Sequence, residues 1–201
     1  MIKRALISVY DKRNLLPLLD TLNNLNASII SSGGTANTIK KLGYNVIEVS
    51  AFTGYPEMPG GLVKTLHPKI HGGILGDLND PEQVKYMKNH GINAIDLVVV
   101  NFYPFKEAVK SGVNLKDAAE YIDIGGPALV RAAAKASLLN RRVTVVTDPS
   151  QYVLVIKELN KYGDVDIKLK ERFALDAFKR TAEYDTEISS YLSKRLEGEK
   201  G

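Results

Sequence analysis

The chain has no cysteine among its 201 residues, and that absence alone excludes disulfides, thiol nucleophiles and thiolate metal sites. It also lacks an apolar run long enough for a bilayer. The longest stretch after the N-terminus, Leu97-Val98-Val99-Val100, falls far short of the ~20 residues a spanning helix needs. Met1 to Tyr10 carries two basic residues and a short apolar run, without the longer apolar region and small-residue cleavage site of a signal peptide. No clustered basic stripe with interleaved aromatics is present: the net charge is +4, and the Lys and Arg residues are dispersed. That pattern argues against a nucleic-acid surface. Internal repeats and low-complexity segments are missing too. The expectation is a soluble, cytoplasmic protein with neither membrane nor nucleic acid as a partner.

What is present reads as one compact domain with a proper core, 44% apolar and 25% charged. Ala5 to Val9 predicts a buried strand, Leu15 to Leu25 a helix, and Ala27 to Ile30 a second strand. A helix follows from Ser32-Gly33-Gly34-Thr35 to near Gly43, then a third strand over Val46 to Val49. Pro81 to Asn89 is helical, with Gly91 as its C-cap, and Ile95 to Asn101 is the strongest strand signal. Leu115 to Tyr121 and Pro127 to Leu139 predict helices, and Val143 to Thr147 another strand. A helix from Pro149 to Tyr162 is capped by Asp148. Apolar strands alternating with helices predict the α/β class, a parallel sheet covered on both faces. Beyond residue 165 the pattern is helical alone, with Leu169, Phe173, Ala177, Thr181, Tyr184, Ile188 and Leu192 along one face. The expected organisation is a core over 1–163, a helical extension over 164–196, and a frayed tail from Glu197 to Gly201.

Gly54 to Lys69 stands out from that regular background. It is too irregular for a helix and too rich in Gly and Pro for a strand, yet it holds Lys64, Thr65, His67 and Lys69. Loops of this make-up tend to be kept for chemistry, and these side chains suit an anionic, hydrogen-bonding small molecule. The plain alternative is a surface loop with solvated lysines. His67 and His71 have the four-residue spacing that binds zinc on a helix. Pro68 and Gly72-Gly73 argue against a regular helix there, and no third ligand stands out, so no metal is expected.

Further candidates fall where strands end. Ser31-Ser32-Gly33-Gly34-Thr35 can bring backbone N–H groups and a helix N-terminus to a phosphate; a tight strand–helix turn with a Ser or Thr cap gives the same letters. Ser8 to Lys12 follows the first strand, and ligands collect outside the carboxyl ends of such sheets. Together Ser8, Lys12, Ser32, Gly33, Gly34 and Thr35 could enclose one phosphate. Asn101 and Tyr103 end the strongest strand, and their polar groups need partners if buried, whereas Phe102 and Phe105 read as core. Asp123 precedes a helix and reads locally as its cap. Lys135, near the other end of that helix, reads locally as solvated.

These pieces, in this order, resemble the IMP cyclohydrolase domain of the bifunctional AICAR transformylase/IMP cyclohydrolase. The matching stretches are Ser8-Val-Tyr-Asp-Lys12, Ser32-Gly-Gly-Thr35, Thr53-Gly-Tyr-Pro-Glu-Met58, Val63-Lys-Thr-Leu-His-Pro68, His71-Gly-Gly-Ile-Leu75, Asn101-Phe-Tyr-Pro-Phe105, Ile122-Asp-Ile-Gly-Gly126 and Arg131-Ala-Ala-Ala-Lys135. Late stretches, Ala174-Leu-Asp-Ala-Phe178 and Ala182-Glu-Tyr-Asp185, extend it through the chain. The resemblance implies a methylglyoxal-synthase-like fold and dehydrative closure of 5-formamidoimidazole-4-carboxamide ribotide to IMP, without cofactor or metal. It implies a functional set of Lys64, Tyr103, Asp123 and Lys135, with Ser8, Lys12, Ser32 to Thr35, Thr65, Asn101, Ile124 and Gly125 binding substrate. It further implies a homodimer, and a formyltransferase half that this sequence does not include, either a separate chain or the remainder of a longer one. Two positions depart from the family pattern. Leu62 stands where an Arg is usual, so anion binding would lean on Lys12, Lys64 or Lys69, and Ala136 stands where an Asn is usual. A methylglyoxal synthase and a non-catalytic ligand-binding domain of the same fold are the competing readings.

Overall fold

The computed structural model describes residues 1–109 and 113–197. Among them five strands form one parallel sheet: β1 (Arg4–Val9), β2 (Ser28–Ser31), β3 (Ile47–Glu48), β4 (Leu97–Asn101) and β5 (Thr144–Val146), in the order β3-β2-β1-β4-β5. The helices are α1 (Leu15–Asn24), α2 (Gly33–Lys41), α3 (Val49–Thr53), α4 (Pro68–Leu75), α5 (Pro81–Asn89), α6 (Phe105–Ala108), α7 (Leu115–Glu120), α8 (Gly125–Leu139), α9 (Tyr152–Tyr162) and α10 (Ile167–Glu197). The central strands are apolar because helices cover both faces: Leu6, Ile7, Val98, Val99 and Val145 are all buried. From β1 the chain winds outward through β2 and β3, then returns to place β4 and β5 on the other side. The winding direction therefore reverses between β1 and β4, where sheets of this kind open a crevice at the carboxyl ends.

Amphipathic spacing accounts for the helical layers. Leu15, Leu18, Leu19 and Leu22 turn one face of α1 into the core, and α1 packs beside α9. Asp148 caps the one-turn Pro149–Gln151 segment ahead of α9 in a reciprocal capping box with Gln151. The long α10 lies on α8 and β5, burying Phe173, Ala174, Ala177 and Tyr184. Its helical residues end at Glu197, and the tail expected to fray lies, from 198 onward, outside the described residues. No helix among the described residues is long and apolar enough to cross a membrane.

Two local expectations fail for physical reasons. The strand expected over Val46 to Val49 covers only Ile47 and Glu48. As the edge strand it pairs with β2 alone, and Val49 already turns inward to start α3. The segment expected to resist a helix at Pro68 and Gly72-Gly73 is the helix α4. Proline is accepted in a first turn, whose N–H groups lack intrahelical partners anyway, and His67 caps it by accepting the Lys69 N–H at 3.1 Å. The glycines are there for space: a Cβ on Gly73 would sit 2.4 Å from the Asn93 carbonyl oxygen, and one on Gly72 3.2 Å from Ile92.

The far end of α4 is held by Arg142. Its guanidinium donates to the carbonyls of Gly73 and Ile74, each at 2.8 Å, to Ile95 O at 2.8 Å, and to Asp96 Oδ1 at 3.1 Å. The other Asp96 oxygen accepts the N–H groups of Lys3 and Arg4 at 2.9 and 3.1 Å, so the pair also joins the starts of β1 and β4. Burial pulls the Arg142 pKa down and Asp96 opposes it. Arg142→Ala leaves a buried carboxylate without its cation and orphans several carbonyls. The expected cost is about 3–5 kcal/mol of unfolding free energy by urea denaturation.

His71, on the inward side of α4, is half-buried, with its Nε2 enclosed and unpartnered. Burial lowers its pKa, against a smaller opposing effect of its hydrogen bond to the Thr65 backbone carbonyl. The unfolded chain therefore binds the proton more readily. Stability falls as pH drops below about 6.5, and the loss levels off below the depressed folded-state value. Urea midpoints between pH 5 and 8 should show this slope, and His71→Gln should flatten it.

Candidate active site

The turn after β1 is built by two side chains reaching across the sheet edge. Asn101, the last residue of β4, accepts the Asp11 N–H at 2.8 Å and donates to the Asp11 carbonyl at 3.0 Å. Thr35 on α2 accepts the Val9 N–H at 3.1 Å and donates to the Val9 carbonyl at 3.0 Å. Two residues expected to bind substrate are thus engaged with backbone, and what they do is fix the loop that carries Lys12. The Lys12 ammonium donates to Tyr10 O at 3.1 Å. Asp11 pairs with the exposed Arg13, whose hydrogen bond holds its carboxyl below the usual range. Ser32 is buried ahead of α2 and makes no capping bond with its side chain. Ser8 is half-buried on β1, and Gly34 lies open.

Lys64 meets this edge from the loop. A Cβ on Gly33, whose φ is +54°, would lie 3.0 Å from the Lys64 ammonium, and one on Gly61 3.4 Å from it. The cation therefore sits directly over the strand–helix turn. Just before it, Val63 has φ +51°, a left-handed conformation that is a genuine outlier for a β-branched residue. Leu62 is 61% exposed and shares the lining of the cavity under the loop with Lys64 and His67. Lys69 is turned to Gly54 instead, whose Cβ would lie 3.9 Å from its ammonium.

Thr65 extends the arrangement to α8. It is buried, and its hydroxyl oxygen would lie 2.6 Å from a Cβ on Gly125. Asp123 Oδ1 accepts the Gly126 N–H at 2.9 Å, and the other carboxylate oxygen would be 2.3 Å from a Cβ on Gly126. Glycine is needed at both positions because these groups approach the helix start so closely. Ile124, between Asp123 and that helix start, is exposed. Tyr103 is half-buried between Tyr10, edge-on at 4.5 Å, and Tyr121, stacked at 5.8 Å. Lys64, Thr65, Gly33 and Gly125 are thus brought together from distant parts of the chain, with Asp123 beside Gly125.

Lys135 is not among them within one chain. Helix α8 runs unbroken from Gly125 to Leu139, without an irregular start at Gly125-Gly126-Pro127. Lys135 is exposed ten residues along it, about 15 Å at 1.5 Å per residue. His67 uses its Nδ1 to cap α4, and His71 lies one turn further along that helix. Among the described residues no cluster of three or more metal-ligating acidic or histidine side chains exists. Sequence reasoning gave Tyr10, Tyr121 and Tyr184 no role at the site. Tyr10 lies inside a quoted stretch, Tyr121 beside one, and Tyr184 within another and on the α10 face, but only the fold places the first two against Tyr103. Two cavities border the edge: one of about 200 Å³ under the loop, lined by Thr53, Tyr55, Lys64 and His67, and one of about 800 Å³ beside Tyr10, lined by Lys12, Arg13, Asn101 and Arg180. An ammonium beside a strand–helix turn suits an anion, a carboxylate such as that of Asp123 suits proton transfer, and a phenol such as that of Tyr103 suits oxyanion stabilisation.

The family model described as "MGS-like domain" matches residues 14–128, and that described as "AICARFT/IMPCHase bienzyme" matches residues 133–200. The chain is 47% identical over 194 residues to the bifunctional purine biosynthesis protein PurH of Persephonella marina, covering 96% of this chain and 37% of that protein. It is 46% identical over 200 residues to PurH of Bacillus subtilis, covering 99% and 38%. The chain thus spans little more than a third of the length of these curated relatives. The crystal structure of ForH superposes with a TM-score of 0.83 at 30% identity, covering 94% of this chain and 98% of that one. The chain belongs to the MGS-like domain family, as a homologue of PurH whose sequence continues into the AICARFT/IMPCHase bienzyme pattern.

Proposed function

We propose that this chain is an IMP cyclohydrolase of de novo purine biosynthesis, acting in the cytoplasm on 5-formamidoimidazole-4-carboxamide ribotide. The observation that carries the reading is the bridge made by Lys64 and Thr65 between the Gly33 turn and the Gly125 start of α8. A ribotide has an anion at one end and a reacting heterocycle at the other, and this bridge provides for both. The phosphate would rest on the N–H groups of Gly33 and Gly34 at the start of α2, with Ser8, Ser32 and Lys12 around it. The heterocycle would then lie against Tyr103, Asp123 and the backbone at Ile124 and Gly125.

In this account proximity supplies most of the acceleration, because an amide is a poor nucleophile and must be held against its target. The carboxamide nitrogen bonds to the formyl carbon as the C=O π bond opens. Lys64 and Tyr103 donate to the resulting oxyanion, and Asp123 accepts a proton from the attacking nitrogen. The C–O bond then breaks. The oxygen leaves as water with two protons, one from the carboxamide nitrogen and one from the formamido nitrogen. No cofactor enters the balance. We assign Lys135 no contact with the reacting atoms of its own chain, given its place on α8. The substrate would come from a formyltransferase, on the same or a separate polypeptide, and we propose a homodimer as the working form.

The direct test is to add the formamido ribotide and follow IMP formation in the ultraviolet. Turnover is expected. Tight nucleotide binding without turnover would favour a binding domain, and release of methylglyoxal from a triose phosphate a synthase. In single-turnover experiments Lys64→Ala and Asp123→Asn should each slow cyclisation about 100-fold or more, and Tyr103→Phe about tenfold. Lys135→Ala should lose the least of the four. Near-normal rates in both Lys64→Ala and Asp123→Asn would sink the assignment.

A further inference from the structure

Tyr184 lies on α10, 61 residues from Asp123 in sequence, and is 2% exposed. Its hydroxyl oxygen accepts the Asp123 N–H at 2.8 Å, and its hydrogen is donated to the Tyr121 carbonyl at 3.3 Å. Its ring lies 5.0 Å from that of Phe102, the neighbour of Tyr103 and one of the side chains that close off Gly126. One buried phenol therefore grips the peptide on either side of Ile122. It does so within the short connection that leaves α7 at Glu120 and enters α8 at Gly125. That connection has no strand to pair with. Its own support at this point is a turn bond from Ile122 N–H to Ala119 O at 3.1 Å.

We propose that Tyr184 is a positioning residue for the cyclisation, holding the Asp123 carboxylate and, through Tyr121, the Tyr103 ring in register from outside the site. This rests on the cyclohydrolase reading and on the roles it gives Asp123 and Tyr103. The hydroxyl acts as acceptor and donor at once, so a single atom sets two peptide groups on one short stretch. The carboxylate of Asp123 is thereby fixed from two sides, its backbone by Tyr184 and its Oδ1 by the Gly126 N–H. The Tyr121 ring that stacks on Tyr103 is carried on the same stretch. Burial raises the Tyr184 pKa, with Asp123, Asp185 and Glu187 adding to the effect against the Asp123 backbone bond, so the hydroxyl keeps its proton at neutral pH. A phenylalanine there would keep the ring against Phe102 and lose only the two hydrogen bonds. Small displacements of a general base lower the rate of the chemical step more than they weaken binding.

The experiment compares Tyr184→Phe, Asp123→Asn and the double variant in single-turnover cyclisation, with IMP affinity measured separately. Phe178→Leu, on the same helix but in contact with Arg131, controls for loosened packing of α10. Tyr184→Phe should slow cyclisation about tenfold or more while IMP affinity stays within about twofold. In the Asp123→Asn background the same change should cost clearly less, about threefold, because only its hold on Tyr103 is left to lose. Phe178→Leu should lower the denaturation midpoint and leave the rate alone. A normal rate in Tyr184→Phe beside a slow Asp123→Asn overturns the inference, and so does an equal loss in both backgrounds. A normal rate in Asp123→Asn alone overturns instead the reading on which the inference rests, and is recognisable because Tyr184 is intact in that variant.

Discussion

The largely buried Arg142 guanidinium holds carbonyls of Gly73, Ile74, Gly76 and Ile95 together with the Asp96 carboxylate, at the end of the sheet where β1 and β4 start. A parallel sheet needs nothing of the kind for its own ladders. The cluster matters because α4 is short, about 12 Å for its eight residues, and carries Lys64 and Thr65 immediately ahead of its other end. Fastening the C-terminal turn of α4 therefore sets where those two side chains stand. Gly73 permits the close approach, and Asp96 ties the same anchor to the starts of β1 and β4. The loop from Gly54 to His67 is then held at both ends, by α3 closing at Gly54 and by the His67 cap. Its strain is concentrated at Val63, one residue before the cation.

A second constraint works from the opposite side of the site. Asp123 and Tyr121 occupy a connection between two helices, and what steadies it is a phenol contributed by the last helix. The C-terminal helix is thus joined to the proposed site as well as to the core. Leu62 has a consequence as well. Its side chain is exposed, and Lys69 is turned toward Gly54, so the ammonium nearest the Gly33 turn is that of Lys64. Lys12 is a further cation at this edge, held on the Tyr10 carbonyl. A chain with an Arg at position 62 could divide anion binding and chemistry between two cations.

Much of this was legible in the sequence, and the parts that were not have physical causes. The central strands were readable because burial on both faces makes them continuously apolar, and α1 because four leucines recur at helical spacing. Gly33 read as a close approach to a phosphate and Gly125 only as part of a family motif, whereas what approaches Gly33, Gly125 and Gly126 in the fold comes from residues 64, 65 and 123. Helix α4 was hidden because its glycines answer to Asn93 and Ile92, a tertiary demand that outweighs local propensity. Asn101 and Thr35 drew notice as polar groups at strand ends, yet their side chains are engaged with the backbone of Asp11 and Val9. Nothing in the spacing connects Tyr184 with Asp123, because that contact exists only once α10 has packed on α8.

The proposed function requires one ribotide to span the Gly33 turn and the Asp123 helix start with Lys64 between them. A crystal structure of the chain with IMP bound tests it most directly. The phosphate is expected on the Gly33 and Gly34 N–H groups, and the purine edge within hydrogen-bond reach of Lys64 and Asp123, at about 3 Å. A nucleotide lodged instead in the larger cavity beside Arg13 and Arg180, with Lys64 and Asp123 left facing solvent, would contradict it.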